Sequence, residues 1–330
     1  MDNPFLEFYS VVRILVWLGL AVLGFLLALI VRLIQGRSAG EAAKNGVEAG
    51  LTTLVGALFA QLIVAFFIWL GGATNAAMIG TGFFLMIWPG IIDMIGLAAT
   101  GDSLWGVSGY LWIAMALGAG GGWFDGFHKI HNWSGLGVVT FISDFTWGLP
   151  LNVNAFLIHL INLGWGNFQD GDGRRGAHRY ARGFAIKPGF AFTQGNVLSS
   201  LGNGPGAGIY THEQTHVFQN RLFGPFFWMT YFGWLILFGA AGLIGMLAPG
   251  RNSANVRIST HFPMWWGYFN NPWELWAYTH NPTGRTGNLP SGDGTGWLDW
   301  PVVAKVILSI IGEAILLILI LLAIWRIWFP

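Results

Sequence analysis

The sequence predicts a mostly α, polytopic α-helical membrane protein with a small α+β insertion at the membrane interface. Three observations lead there. Of 330 residues, 54% are hydrophobic and 9% charged, and the mean hydropathy is +0.56; soluble domains carry about 25% charged residues. Apolar runs of helical length recur, long enough to cross a ~30 Å hydrocarbon layer at about 1.5 Å per residue. Between Gly164 and Tyr210 the chain turns polar and Gly-rich, and Phe190-Ala191-Phe192-Thr193 reads as a short strand. This composition excludes a disordered chain, a basic nucleic-acid binder and an ordinary cytosolic enzyme. The absence of Cys excludes a disulfide frame, a thiolate metal site and a cysteine nucleophile. The 49 Gly suit close helix approach, and the 19 Trp suit interfacial anchoring.

The elements follow in order. Val11 to Ile34 is the first span; its leader holds Asp2 and Glu7 but no Lys or Arg, so an uncleaved anchor is expected. Residues 35–50 form a polar link. Leu51 to Leu70 is the second span, and Ala77 to Ala98 the third, broken at Trp88-Pro89-Gly90. Leu104 to Leu117 is a short fourth span ending in the glycine-rich run 118–122. Leu136 to Leu163 is apolar but holds Asp144, Asn152, Asn154, His159 and Asn162. So many polar groups need partners, so this stretch is expected to be interfacial or packed inside the protein. Phe226 to Leu247 is apolar again, and Val302 to Trp325 is the last span. The expected organisation is thus a four-span membrane region at 1–122 and an interfacial segment with the motif-bearing domain at 123–222. An apolar hairpin or span at 223–249, a second interfacial segment at 250–300 and a C-terminal transmembrane helix at 301–330 complete it. Eleven Lys/Arg fall between Lys129 and Lys305 against two at 35–50. The positive-inside rule therefore places residues 123–301, and the N-terminus with them, on the cytoplasmic side.

The chemistry centres on Thr211-His212-Glu213-Gln214-Thr215-His216. Two His at i and i+4 lie on one helical face, about 6 Å apart, and can share one Zn²⁺. The Glu between them can take a proton from a zinc-activated water. Random placement of eight His and six Glu in 330 residues would give roughly 0.004 such matches. Thr211 and Gln214 fit a capping box, and Gly224-Pro225 would end or kink the helix. A third protein ligand is required. Glu274, in Asn271-Pro272-Trp273-Glu274, is the leading candidate; His261, His280, Asp293 and Asp299 are rivals, and the only other Glu beyond the motif, Glu313, lies in the last apolar span.

The motif, followed 58 residues later by Glu274 in N-P-x-E-x-x-A, resembles the zincin metallopeptidases of the glutamate-ligand type. The surrounding apolar stretches resemble their membrane-embedded members, the CAAX prenyl protease and bacterial heat-shock membrane protease group. The resemblance covers about Gly189 to Tyr278 and implies a zincin-like insertion with zinc on His212, His216 and Glu274 and with Glu213 as base. It also implies a substrate-binding edge strand at Phe190, Phe192 and Thr193. The family's transition-state residue has no clear counterpart; Tyr278 and His280 are candidates by proximity. A bacterial inner membrane is the location this implies, with a membrane-protein or peptide substrate.

Weaker constellations complete the reading. His128 and His131, three apart, suit a helical metal pair or an interfacial cap with Asp125. Arg174, Arg175, Arg179 and Arg182 could hold anionic lipid headgroups or form a solvated loop. Asp93 and Glu313 are intramembrane acids, expected to pack between helices. The leading function is zinc-dependent peptide-bond hydrolysis in or near the membrane. The alternative is a non-catalytic subunit of a larger membrane complex that keeps the site as a structural clamp or in vestigial form; transport is third.

Overall fold

The computed structural model describes residues 3–166, 168, 174–186, 190–203, 207–247, 267–268 and 271–280. The expected last span, Glu313, the rivals His261, Asp293 and Asp299, and most of 250–300 lie outside the described residues. The chain divides into two compact units, Met1–Asn203 with Asn220–Pro225, and Gly204–Gln219 with Phe226–Pro330.

The first unit opens with a short helix α1 (Pro4–Phe8), then α2 (Val11–Ile34) and α3 (Ala39–Leu70). The boundaries of α2 match the apolar run, because Ser10 caps it and the charges inside it, Arg13 and Arg32, fall only near its two ends. Residues 35–50 are not a link: α3 begins at Ala39 and continues without a break. Ser38 Oγ accepts from Glu41 N, a cap that starts the helix inside the polar stretch. The expected break in the third span is present. α4 (Asn75–Met86) and α5 (Trp88–Thr100) meet at Ile87, which has φ 57°, with Pro89 in the first turn of α5.

The fourth span is longer than its apolar run. α6 (Gly106–His128) passes through the glycine-rich run, which packs instead of terminating the helix. A methyl group at Gly56 of α3 would lie 2.5 Å from Gly118 O, and one at Gly122 would collide with Thr52 O. On the other side of α3, a methyl at Gly50 would lie 2.7 Å from Ala21 O of α2. Glycines here let three helices approach backbone to backbone. Polar groups between them are paired. Trp17 Nε1 donates to Gln61, whose amide donates to Leu111 O at 2.8 Å. Asp93, fully buried, accepts from Ser103 Oγ, Leu104 N and Tyr110 Oη at 2.6–2.8 Å, the interhelical packing role expected of it. α2 keeps Leu15, Leu18, Val22, Leu26 and Ile30 exposed, an outward apolar face suited to lipid.

α7 (Gly135–Phe145) and α8 (Leu149–Trp165) follow, bent by 85°. Most of their polar residues are internal, as expected: Asp144, Asn152, His159 and Asn162 are buried, and Asn154 is half-buried. Three short strands, β1 (His178–Arg179), β2 (Phe192–Gln194) and β3 (Val197–Ser199), form a sheet in the order β1-β3-β2. β3 runs parallel to β1 and antiparallel to β2. Gly195-Asn196 closes the β2–β3 hairpin, with Gly195 at φ 55°. Asp144 joins Arg221 in a two-pronged ion pair at 2.8 and 2.6 Å. Trp147 Nε1 donates to Leu222 O, and Asn220 donates to Gly148 O.

The second unit holds α9 (Ala207–Phe223) up to Gln219, α10 (Pro225–Leu247) from Phe226, and α11 (Pro272–Tyr278). α9 and α10 bend by 120° at Gly224, where φ is 55°; the expected stop at Gly224-Pro225 is therefore a sharp kink. Thr211 is not a cap, since the helix already runs from Ala207. α10 is one helix with no reversal at Gly239 or Gly242, so the apolar segment is not a hairpin. The chain instead comes back beside α10 further on: a methyl at Gly267 would lie 2.5 Å from Leu235 O, and Asn271 Nδ2 donates to Tyr231 O at 2.9 Å.

By length and composition, two described helices, α2 and α3, can cross a membrane; the number rises to four if each bent pair is one span.

Candidate metal centre

α9 places His212 and His216 on one face, one turn apart. Their Nε2 atoms are 3.3 Å apart. Glu274, in the first turn of α11, joins them: Oε2 is 3.3 Å from His212 Nε2, and Oε1 is 3.3 Å from His216 Nε2. One carboxylate oxygen thus faces each imidazole, and the three groups are close enough to share one ion. All three side chains are buried.

The helix carrying Glu274 is held by both partners. Asn271 caps it through Trp273 N at 3.1 Å, with Pro272 in its first turn. Trp273 Nε1 donates to Thr230 Oγ1 of α10 at 3.0 Å, and Gln219 of α9 donates to Trp273 O at 3.1 Å. The other end of the Gln219 amide, Oε1, is 2.8 Å from His216 Nδ1. That bond puts the proton on Nδ1 and leaves the Nε2 lone pair facing His212 and Glu274. Tyr231 Oη donates to Glu274 Oε1 at 2.6 Å.

The arrangement fits a cation. Glu274 Oε2 is buried without a hydrogen-bond partner, a cost that a coordinated ion removes. Burial alone would raise the Glu274 carboxyl; the two imidazoles beside it, when they carry protons, outweigh burial and keep it ionised, and a bound ion would take the place of those protons on Nε2.

The predicted site residues divide clearly. His212, His216 and Glu274 come together, with the buried Glu213 next to His212 on the same helix. Tyr278 is buried with its ring 4.3 Å from that of His212, whereas His280 is exposed. Phe192 and Thr193 sit on β2, an edge strand of the first unit; Phe190 precedes it. The four arginines do not form one exposed patch. Arg179 is buried in β1, Arg174 pairs with Glu48 at 2.9 Å, and Arg175 and Arg182 are exposed. His128 and His131 do not share a helix either: α6 ends at His128, and Lys129 turns the chain at φ 54°.

Gln219 and Tyr231 escaped the sequence reading. Gln219 was within reach, three residues after His216 and on the same helical face. Tyr231 carries no local signal, because its partner arrives through the later return of the chain. No family model, curated protein or solved structure matches this chain.

Proposed function

We propose that this protein is a polytopic membrane metallopeptidase of zincin type, hydrolysing peptide bonds in or near the membrane with its motif helix on the cytoplasmic side. The observation that supports this most is the convergence of His212, His216 and Glu274 among the described residues; a catalytic zinc takes three such protein ligands and keeps a fourth position for water or substrate.

When bound, Zn²⁺ would lower the pKa of a coordinated water towards about 7 and polarise the scissile carbonyl. The chain supplies the rest. His212 and His216 would hold the ion through Nε2. Glu274 would hold it through Oε2, while Tyr231 occupies Oε1 and fixes the plane of the carboxylate. Glu213 would accept the proton of the attacking water and deliver it to the leaving amine. Tyr278, against His212, is the candidate donor to the developing oxyanion.

Glu213→Gln tests this. The variant keeps its zinc, since Glu213 is not a ligand in this reading, and loses at least about 100-fold in cleavage of membrane-peptide substrates. The burial of all three ligands favours a second reading, a structural clamp in a larger membrane complex. Zinc binding without cleavage by the wild type would select it.

A further inference from the structure

We propose that His128, His159 and His178 form a second metal site, in the first unit, for a borderline divalent ion such as Zn²⁺. The three rings come from three elements: the end of α6, the middle of α8 and β1. One nitrogen of each lies within 4.8 Å of the others. His159 and His178 are fully buried and His128 half-buried. Neutral imidazoles suit ions of the zinc, copper and nickel type and give calcium or magnesium no oxygen ligand.

The protonation pattern points the same way. His178 Nε2 is 2.7 Å from Asp125 Oδ1. Asp125 also meets His131 Nε2 at 2.8 Å and Asn196 Nδ2 at 3.1 Å. A carboxylate among three N–H groups accepts from all of them, so His178 carries its proton on Nε2. Its Nδ1 then accepts from His128 Nδ1, 2.9 Å away, a proton that a bound ion would displace. A carboxylate on the far nitrogen of an inward-facing imidazole is the usual support of a metal-ligating His. Tyr180 Oη lies 2.9 Å from His159 Nδ1 and fixes that ring in turn.

Aromatic packing sets the ring planes without explaining the convergence. His159 stacks on Phe124 at 4.1 Å and His128 on Phe168 at 3.6 Å, and both meet His178 edge to face. The adjoining group of Asp125, His131 and Asp144 is no rival cation site. Its carboxylates are already engaged by Arg221, Asn196 and the two His.

The test uses full-length protein in detergent, stripped of metal and reloaded with Zn²⁺ or Co²⁺. A His212→Ala/His216→Ala variant leaves this cluster untouched and removes the other candidate centre. It is expected to bind one ion per chain, with X-ray absorption showing a coordination shell of imidazoles. Adding His178→Ala should abolish that binding, and Asp125→Asn should weaken it about 10–100-fold. No ion bound by the double variant would overturn the proposal, as would full binding retained after His178→Ala. Both results are independent of whether the HExxH centre holds zinc or cleaves peptides.

Discussion

At the scale of residues, Glu274 is the hinge of the candidate centre, and its orientation depends on one hydroxyl. Tyr231 takes Oε1, leaving Oε2 directed at His212. Tyr231→Phe removes a charge-assisted hydrogen bond while keeping the ring packed against Phe227. We expect zinc affinity to fall about 10–100-fold in competition with a chelator, without unfolding; unchanged affinity would mean that Tyr231 does not orient the ligand. The motif residues were legible because zinc chemistry dictates their spacing on a helix. Tyr231 was not, since nothing in a span-like helix marks the one tyrosine that a distant Glu will meet. His159 and His178 were equally silent: 19 residues apart on a helix and a strand, they share no motif.

At the scale of elements, α3 and α6 are joined by absent side chains. Gly118 and Gly122 face backbone oxygens of α3, whereas a methyl group at Gly19 of α2 would meet no atom within 4 Å. Gly122→Ala is expected to destabilise the unit by about 1–3 kcal/mol through overpacking. Gly19→Ala should be neutral or stabilising by up to about 1 kcal/mol, from helix propensity. Thermal unfolding in detergent compares them, and equal effects would contradict the close helix contact. The limits of the sequence reading have the same origin. Composition located α2 to the residue, because a long apolar run bounded by Ser10, with Arg13 and Arg32 only near its ends, leaves one solution. It ended α6 too early, because a glycine run signals a stop until a partner helix needs the space. It missed the start of α3, although Ser38-Ala39-Gly40-Glu41 is a legible capping box, because charge in the stretch outweighed the cap.

At the scale of the whole molecule, the candidate centre depends on how the chain brings Glu274 back to the motif helix. α10 runs unbroken for 23 residues, and the chain is again beside it at Gly267 and Asn271. No reversal occurs within α10. Phe218 and Thr279 are both exposed, and the Phe218 ring is 6.1 Å from that of Trp276. Single Cys residues at positions 218 and 279, in a chain with no native Cys, should therefore react with an impermeant thiol reagent from the same side. Labelling from opposite sides would separate α11 from α9.

The most direct test of the centre is zinc stoichiometry. Metal content is measured on purified wild type and on Glu274→Ala after identical loading and chelator washing. The variant is expected to hold one Zn²⁺ per chain fewer than the wild type, whatever the first unit binds. Equal zinc content in the two proteins would contradict it, and Glu274 would no longer be a ligand.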